Sequence, residues 1–172
     1  MSDIEQIALT TATTLFGGVL LFILGEFIRT KITLPIQKLN EQIQIVLAGL
    51  DFYCNLLTNY YPSEPSKEQR KMIHEMTRDL RKSATQLKSM YLVISLKYML
   101  IKFRMIPSVD RIETGHRGLI YLHNSVLYER ERKIVVNQID MNNNEISRIR
   151  AALMNEKIPD IIMPKEKERY GR

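Results

Sequence analysis

The residues best suited to chemistry in this chain are three histidines and one cysteine: His74, His116, His123 and Cys54. His116 and His123 are seven residues apart and therefore share one face of a helix, and Glu113 lies one turn before His116. A metal site or an acid–base pair would need further groups from another element, and no recognised metal-ligand spacing is present. Such histidines are more often satisfied inside a helical bundle, so an enzyme that uses them is the weakest of three hypotheses.

Other signatures of enzyme chemistry are missing from the sequence. It contains no phosphate-binding P-loop, dinucleotide fingerprint, nucleophile elbow or zinc-protease motif. The one cysteine excludes an intramolecular disulfide framework and a four-cysteine zinc site, and a buried, inert thiol is the expected state of Cys54. We therefore predict a protein without enzymatic activity, with no cofactor and no bound metal ion.

The charge of the chain is distributed unevenly. Its 172 residues carry 25 Lys and Arg against 19 Asp and Glu, a formal net charge of +6, yet every basic residue follows position 28. The first 28 residues hold three of the 19 acidic residues, so this part carries −3 and the remainder carries +9. Such a basic body is attracted to an anionic lipid leaflet. No nucleic-acid partner is expected, because no binding motif with base-stacking aromatic residues is present.

An apolar segment close to the N-terminus predicts a membrane anchor. Residues 7–24 are 18 consecutive residues without a charge, within the roughly 17 to 25 residues that a spanning helix needs. A cleaved signal peptide is disfavoured because the preceding residues are acidic rather than basic. We predict a short tail at 1–6 and a transmembrane helix at 7–28, so the lipid bilayer is the first expected partner.

The residues that flank and line this segment predict its orientation and a face for self-association. Arg29, Lys31 and Lys38 follow the segment and no Lys or Arg precedes it, so the positive-inside rule places the C-terminal body in the cytoplasm. Small residues, which let transmembrane helices approach closely, share one helical face. They are Thr10, Thr14, Gly18 and Gly25. The alternative is that these small residues simply face lipid.

Helical periodicity runs through the body that follows. Thr33 and Pro35 are the expected N-cap and first turn of a helix, whose apolar positions recur every three or four residues up to a stop near Asn59. Turn residues follow, and Ser66 with Gln69 then matches a capping box that opens the next helix. The apolar stripes of these two helices are Ile36, Leu39, Ile43, Val46, Leu50, Tyr53 and Leu57, and Ile73, Met76, Leu80, Ala84, Leu87, Tyr91 and Ile94.

The stretch at 90–106 is almost as apolar as the first segment, but it carries Lys97, Lys102 and Arg104. At about 100° per residue these three cations do not share one face, and each costs roughly 2.5 to 3.5 kcal/mol near the centre of a bilayer. A second crossing is therefore disfavoured. We predict a core helix, continuous or broken, whose lysines extend to the surface. Docking on the membrane surface is the less favoured alternative.

Two further stripes predict the last helices of the body. One consists of Val109, Ile112, His116, Leu119, His123 and Val126, so both histidines fall on an apolar face. The other consists of Val135, Ile139, Asn142, Ile146, Ile149 and Leu153. A single Asn in such a seam sets register and oligomer state in coiled coils. A last helix that packs on its own bundle is the equal alternative, and residues 157–172 are expected to form a charged tail.

These patterns together predict the fold class. The chain is expected to be all-α, with one N-terminal transmembrane helix followed by a four- to five-helix cytoplasmic bundle at 33–156. No segment alternates as a strand, and no long repeat occurs. The continuous apolar stripes are sufficient for compact antiparallel packing.

Several short stretches resemble a group of bacterial single-pass proteins in which an N-terminal anchor precedes a proline-started helix and a small helical body. The matching stretches are LPI at 34–36, LDFYCN at 50–55 with Asn59, DLRKSATQL at 79–87 and GLIYLHNS at 118–125. The resemblance covers about residues 15 to 128, and the chain departs from it at 94–106 and in its long charged C-terminal helix. It implies a location in the bacterial inner membrane and no particular activity.

Two functions besides the histidine enzyme follow from these features. The first is a membrane-anchored interaction or scaffold module that forms a homo-oligomer or binds another protein, indicated by the anchor, the small-residue face and the seam around Asn142. The second is a membrane effector, either an oligomeric pore-forming protein or an anti-phage defence protein. It is indicated by the small-residue face, by Glu26 at the end of the apolar segment and by the apolar stretch at 90–106.

Overall fold

The computed structural model describes residues 3–58, 66–125 and 132–160. Regular structure in these ranges is entirely helical, as predicted. The helices are α1 (Asp3–Ile28), α2 (Leu34–Phe52), α3 (Cys54–Thr58), α4 (Lys67–Leu92), α5 (Lys97–Lys102), α6 (Val109–Ser125) and α7 (Arg132–Leu153), and a π-helical turn (Arg29–Thr33) joins α1 to α2. α1 thus begins within the expected tail at 1–6. Residues 161–172 of the expected C-terminal tail lie outside the described residues.

The helix that begins near the N-terminus does not stop where the body begins. Gln6–Phe52 is one helix of 47 residues. The expected N-cap at Thr33 is therefore wrong, because Thr33 has helical φ and ψ of −66° and −52° and its side chain caps nothing. Pro35 has no N–H, and its ring crowds the carbonyl four residues earlier. The wider turn just before it, where the Leu34 N–H donates to the Arg29 carbonyl, gives that ring room.

The next helix boundary that the structure describes follows a local sequence signal. α3 is described up to Thr58, and the predicted stop near Asn59 and the turn predicted after it lie outside the described residues. At the start of α4 the Ser66 N–H donates to Gln69 Oε1 at 2.8 Å, while the Gln69 N–H donates to Ser66 Oγ at 3.2 Å. Both reciprocal hydrogen bonds are formed, so the predicted capping box is confirmed.

Contacts at both ends of α4 show that α6 runs antiparallel to it. Towards the start of α4, the Thr77 carbonyl lies 2.8 Å from Nδ1 of His123, which is close to the end of α6. At the end of α4, the Tyr91 hydroxyl donates to the Pro107 carbonyl at 3.3 Å, just before α6 begins. The two helices therefore lie side by side in opposite directions.

Two glycines let α6 and α7 approach closely. A Cβ atom on Gly118 would lie 2.5 Å from Cγ1 of Ile149, and one on Gly115 would lie 3.0 Å from Cδ2 of Leu153. A larger residue at Gly118 would force the helices apart, so the missing side chain sets their spacing. Because the earlier glycine meets the later partner, α7 runs antiparallel to α6.

α7 in turn runs antiparallel to α2 and α3. Nδ2 of Asn142 donates to the Leu57 carbonyl at 2.7 Å, and Arg150, further along α7, pairs with Asp51, earlier in the chain. With the two antiparallel relations above, α2, α4, α6 and α7 form an up-down-up-down bundle. α2 and α6 lead away from α1, whereas α4 and α7 lead back towards it.

The core between these helices contains most of the apolar stripes predicted for α2, α3 and α4. Their buried apolar members are Leu39, Ile43, Val46, Leu50, Leu57, Met76, Leu80, Ala84, Leu87 and Tyr91. The stripe predicted for α6 is partly wrong. Its buried residues are Ile112, Gly115, Gly118, Leu119 and Leu122, whereas Val109 is exposed and both histidines are half-buried. The close approach of α7 to the two glycines centres the core on their face and leaves the histidines at its margin.

The stretch at 90–106 takes the broken form of the predicted core helix, and only part of it lies in the core. α4 ends at Leu92, α5 has only six residues, and Leu96 and Arg104 both have a left-handed φ of 57°. The buried residues of the stretch are Tyr91, Ile94, Leu100 and Ile106. The chain must reverse between the antiparallel helices α4 and α6. This reversal interrupts the helix and leaves the other large apolar side chains outside the buried core.

Candidate functional site

His116 lies beside a small charged cluster formed by α4 and α6. Glu113 accepts a hydrogen bond from Nε of Arg117 at 3.0 Å and lies 3.2 Å from Nζ of Lys88. These two partners hold the pKa of Glu113 below its usual range. Burial, followed by the charge of Lys88, lowers the pKa of His116, and its Nδ1 is buried without a hydrogen-bond partner. The surroundings therefore favour the neutral imidazole.

The histidines are not brought together with further ligands. Nδ1 of His123 contacts the Thr77 carbonyl, which gives this ring a structural role where α4 and α6 pack. Within the described ranges, no group of three His, Cys, Asp or Glu side chains could hold a metal ion. Cys54 is half-buried at the start of α3. The geometry thus gives no support to an enzyme built on His116 and His123.

The candidate seam of α7 packs inside its own chain. Ile146, Ile149 and Leu153 belong to the buried core, Ile139 is half-buried, and the side chain of Val135 lies outside the described residues. Asn142, only 4 % exposed, ties α7 to α3 through the Leu57 carbonyl and accepts a hydrogen bond from Gln138 at 3.0 Å. Within this single chain, α7 therefore packs as the last helix of its own bundle, which is the alternative to a coiled-coil seam between chains.

α1 presents an uninterrupted apolar surface that packs against no other part of the described chain. Its exposed large side chains are Ile4, Ile7, Leu9, Leu15, Phe16, Val19, Leu20, Leu21, Phe22, Ile23, Leu24, Phe27 and Ile28. The small residues share this exposure: no atom approaches the position of a Cβ on Gly18 or Gly25 within 4 Å. The hydroxyls of Thr10 and Thr14 donate to carbonyls four residues earlier at 2.8 and 2.9 Å, so these polar groups are satisfied within the helix.

A second exposed apolar surface lies on the bundle. We call it the apolar end surface and define it as Leu92, Val93, Leu96, Tyr98, Met99, Phe103, Met105 and Val109. These eight large side chains fall within 18 residues of chain. The rest of the bundle exposes only five such side chains among the described residues, and they are scattered: Leu34, Ile45, Phe52, Met72 and Met154. Scattered exposure is normal for a folded protein, whereas a concentrated patch indicates an interaction site.

The apolar end surface lies at the end of the bundle that adjoins α1. α4 leads back towards α1, and Leu100 and Ile106, which follow it in the chain, belong to the buried cluster that runs through the bundle. Ile32 packs against this same cluster. Since Ile32 lies about one helical turn beyond Ile28, the last residue of α1, the core begins almost where α1 stops. The two exposed apolar surfaces are therefore neighbours.

Comparison of the chain with protein-family models, with curated proteins and with solved structures finds no match. The resemblance to bacterial single-pass proteins therefore stays a prediction. Function has to be argued from the surfaces of the molecule itself.

The sequence reasoning missed two features that the structure brings out. The close contact made by Gly115 and Gly118 was available as a signal, because two glycines three residues apart share a helical face. The apolar end surface was assigned to the core. Its signal was the scatter of Lys97, Lys102 and Arg104 around the helix axis, which left the stretch with no continuous core-facing side.

Proposed function

We propose that this protein is a membrane-anchored helical interaction module in which α1 crosses the bilayer once and holds the bundle on the cytoplasmic side. One observation carries the anchoring: α1 is long and apolar enough to cross a membrane, and none of its most apolar 18-residue window is buried against the rest of the chain. A soluble monomer rarely leaves so large an apolar surface in water. A bilayer covers this surface completely.

The dimensions of the apolar segment support this proposal. The 18 uncharged residues at 7–24 extend about 27 Å at a rise of about 1.5 Å per residue, close to the roughly 30 Å of a hydrocarbon core. Glu26 follows and lies 3.6 Å from Arg29, so the first charged pair falls where headgroups and water begin. The threonine hydroxyls within the segment donate to the helix itself and do not need water.

The cytoplasmic side is favoured by the distribution of basic residues. Arg29, Lys31 and Lys38 follow α1, and no basic residue precedes it, so the positive-inside rule retains this end in the cytoplasm. The resemblance to bacterial single-pass proteins favours the inner membrane as the location.

Single cysteines test both the crossing and its direction. Cys54 is the only cysteine of the chain, so Asp3→Cys and Lys82→Cys, each in a Cys54→Ala background, give one exposed thiol on either side of the proposed span. With an impermeant maleimide on intact spheroplasts, we expect labelling at position 3 and none at 82 until the cells are lysed. The reverse pattern would overturn the orientation, and extraction of the protein by alkaline carbonate would overturn the anchor.

Interaction is the part of the proposal that the small-residue face of α1 supports. Thr10, Thr14, Gly18 and Gly25 lie on a helix that has no partner among the residues that the structure describes, and such faces allow close helix association in membranes. Gly18→Leu should lower the oligomeric mass measured by light scattering in detergent. Gly17→Leu is the matched control, because Gly17 is equally free of neighbours but points about 100° away. A monomer in the parent and both variants would leave only a different protein as the partner.

A membrane effector is the second candidate function. It is favoured by an apolar surface on the bundle beside the exposed apolar helix α1, since both could disturb a bilayer. Induction of the protein while a potential-sensitive dye is followed separates the two functions. An effector depolarises the membrane, and a Gly18→Leu variant that cannot assemble should do so less. A steady potential under all triggers favours the interaction module.

A further inference from the structure

We propose that the apolar end surface docks into the interface of the same bilayer that α1 crosses, with Lys102 and Arg104 directed at anionic phospholipid headgroups. The inference rests on the proposed crossing by α1 and adds a second, peripheral contact that fixes the bundle against the membrane. The occupant of the surface is lipid rather than a second copy of the chain or another protein.

Position is the first argument for lipid. α4 runs back towards α1, and the short helix α5 follows its end, with Leu100 buried in the core. The core reaches Ile32, about 6 Å along the axis from Ile28 at a rise of about 1.5 Å per residue. If α1 spans the hydrocarbon core, its last residue lies at the headgroup level. The end of the bundle is then held within reach of the interface by a continuous helix.

The second argument is the composition of α5 and its flanks. α5 directs Leu100 into the core and half-buries Ile101, yet Tyr98, Met99 and the following Phe103 are exposed. A helix that is apolar on more than its core-facing side is suited to a buried or membrane environment. Tyr98 is 90 % exposed and Phe103 67 %, and interfacial segments commonly place aromatic rings of this kind at the headgroup level.

Charge is the third argument. Residues 92–109 contain Lys97, Lys102 and Arg104 and no acidic residue, and residues 29–40, which follow α1, contain three further cations and no acidic residue. Lys97 is occupied, since its Nζ donates to the Leu92 carbonyl at 3.1 Å and lies 5.5 Å from the centre of the Tyr91 ring. Both Lys102 and Arg104 are exposed. Exposed cations next to an apolar surface are typical of segments that bind to an anionic lipid leaflet.

The absence of tryptophan from the chain permits a direct test with single-tryptophan reporters. Phe103→Trp reports on the apolar end surface. Phe52→Trp is the matched control, because Phe52 is also an exposed aromatic residue, at 79 %, but lies at the far end of α2. Leu21→Trp reports on α1. Each full-length variant is reconstituted in vesicles of phosphatidylethanolamine and phosphatidylglycerol with or without lipids brominated on their acyl chains.

Docking predicts strong quenching and a blue-shifted emission at position 21, several-fold more quenching at 103 than at 52, and water-like emission at 52. Quenching at 21 with water-like emission at both 103 and 52 would refute docking and leave the anchor intact. If position 21 is not quenched, the proposed crossing fails, and docking fails with it. Blue-shifted emission at 103 without lipid quenching would mean that a second copy of the chain covers the surface, which also refutes docking.

The charge requirement is tested in the Phe103→Trp chain. Lys102→Gln combined with Arg104→Asn removes both free cations, and Asn is chosen at 104 because it tolerates the left-handed backbone there. Each cation removed should raise the ratio of undocked to docked protein roughly fivefold, as expected from the usual attraction of a basic residue to an anionic surface. For the chain that keeps Lys102 and Arg104, vesicles of phosphatidylcholine alone should weaken docking to a similar extent. Quenching that is unchanged by both would refute the headgroup contact.

Discussion

The two ends of the helical bundle expose different surfaces. At the end far from α1, polar side chains tie the helices together: the Tyr53 hydroxyl donates to Asp79 Oδ2 at 2.8 Å, and Asn142 donates to the Leu57 carbonyl at 2.7 Å. At the end beside α1, polar side chains also make ties to backbone carbonyls: Nη1 of Arg111 donates to Ala151 at 3.0 Å and to Glu156 at 2.6 Å, and the Tyr91 hydroxyl donates to Pro107 at 3.3 Å. The two ends differ instead in what they expose. At the end beside α1 the exposed surface is apolar and basic.

The exposed apolar side chains at 92–109 are therefore concentrated at one end of the bundle, the end beside α1. A loosely folded chain would expose apolar residues equally at both ends, but the described residues of the far end expose only two large apolar side chains, Phe52 and Met72. An apolar, basic end suits a lipid interface.

The largest expected effect is on stability, and it is the difference between replacing a buried and replacing an exposed residue at the end beside α1. Leu100→Ala should lower the free energy of unfolding by about 2 to 5 kcal/mol, because it leaves a cavity at a side chain that is 1 % exposed. Phe103→Ser, three residues later, should change it by less than about 0.5 kcal/mol, since surface substitutions usually do. Thermal unfolding in detergent, followed by circular dichroism, measures both. A large loss for Phe103→Ser would mean that its ring packs within the fold, and the contrast would fail.

The second prediction removes a polar tie at the far end. Asn142→Leu should cost about 1 to 3 kcal/mol, because the Leu57 carbonyl loses the Asn142 donor and Gln138 keeps only the Tyr121 hydroxyl of its two acceptors. Asn143→Leu is the matched control on the exposed side of the same turn and should have little effect. The same unfolding measurement applies, combined with light scattering. If Asn142→Leu changes the oligomeric mass and not the stability, α7 is a coiled-coil seam between chains rather than a helix of the bundle.

The difference between the two ends also explains how much the sequence could predict. The stripes of α2 and α4 and the capping box at Ser66 depend on neighbours three or four residues away, so their periodicity and residue types were sufficient. The end beside α1 depends on where the chain must reverse, which is a property of how α4 and α6 pack. Composition alone therefore assigned 90–106 to the core.

The positions of His116 and His123 show the same limit of what the sequence can predict. His116 and His123 share a helical face with Leu119 in the sequence, but Gly115 and Gly118 shift the buried face away from them. Which of two adjacent faces is buried depends on the distance between helices, and that distance is set here by the absence of two side chains. Local periodicity places residues on a face within about one position, and it cannot choose between neighbouring faces.

A third, smaller effect concerns pH at the far end. Burial, followed by the hydrogen bond to Asp79, raises the pKa of Tyr53 from 10.0 to about 12. The folded chain then keeps a proton that the unfolded chain releases, so this stabilisation is present below pH 10 and is lost as the pH rises towards 12. Tyr53→Phe should lower stability at neutral pH by about 0.5 to 1.5 kcal/mol and should reduce the alkaline loss. Unfolding midpoints of parent and variant that run parallel from neutral to alkaline pH would contradict it.

The smallest predicted effect tests the boundary between the two ends, at His116. Burial and the charges of Lys88 on α4 and Arg117 on α6 lower the pKa of this imidazole, while Glu113 opposes them. Below pH 6.5 the unfolded chain binds a proton at this imidazole that the folded chain does not bind. Stability should therefore fall as the pH drops through this value and level off below the folded-state pKa. His116→Gln should reduce this acid loss, as measured by unfolding midpoints from pH 8 downwards. Equal slopes in parent and variant would show that the ring is as free to take up a proton in the fold as in the unfolded chain.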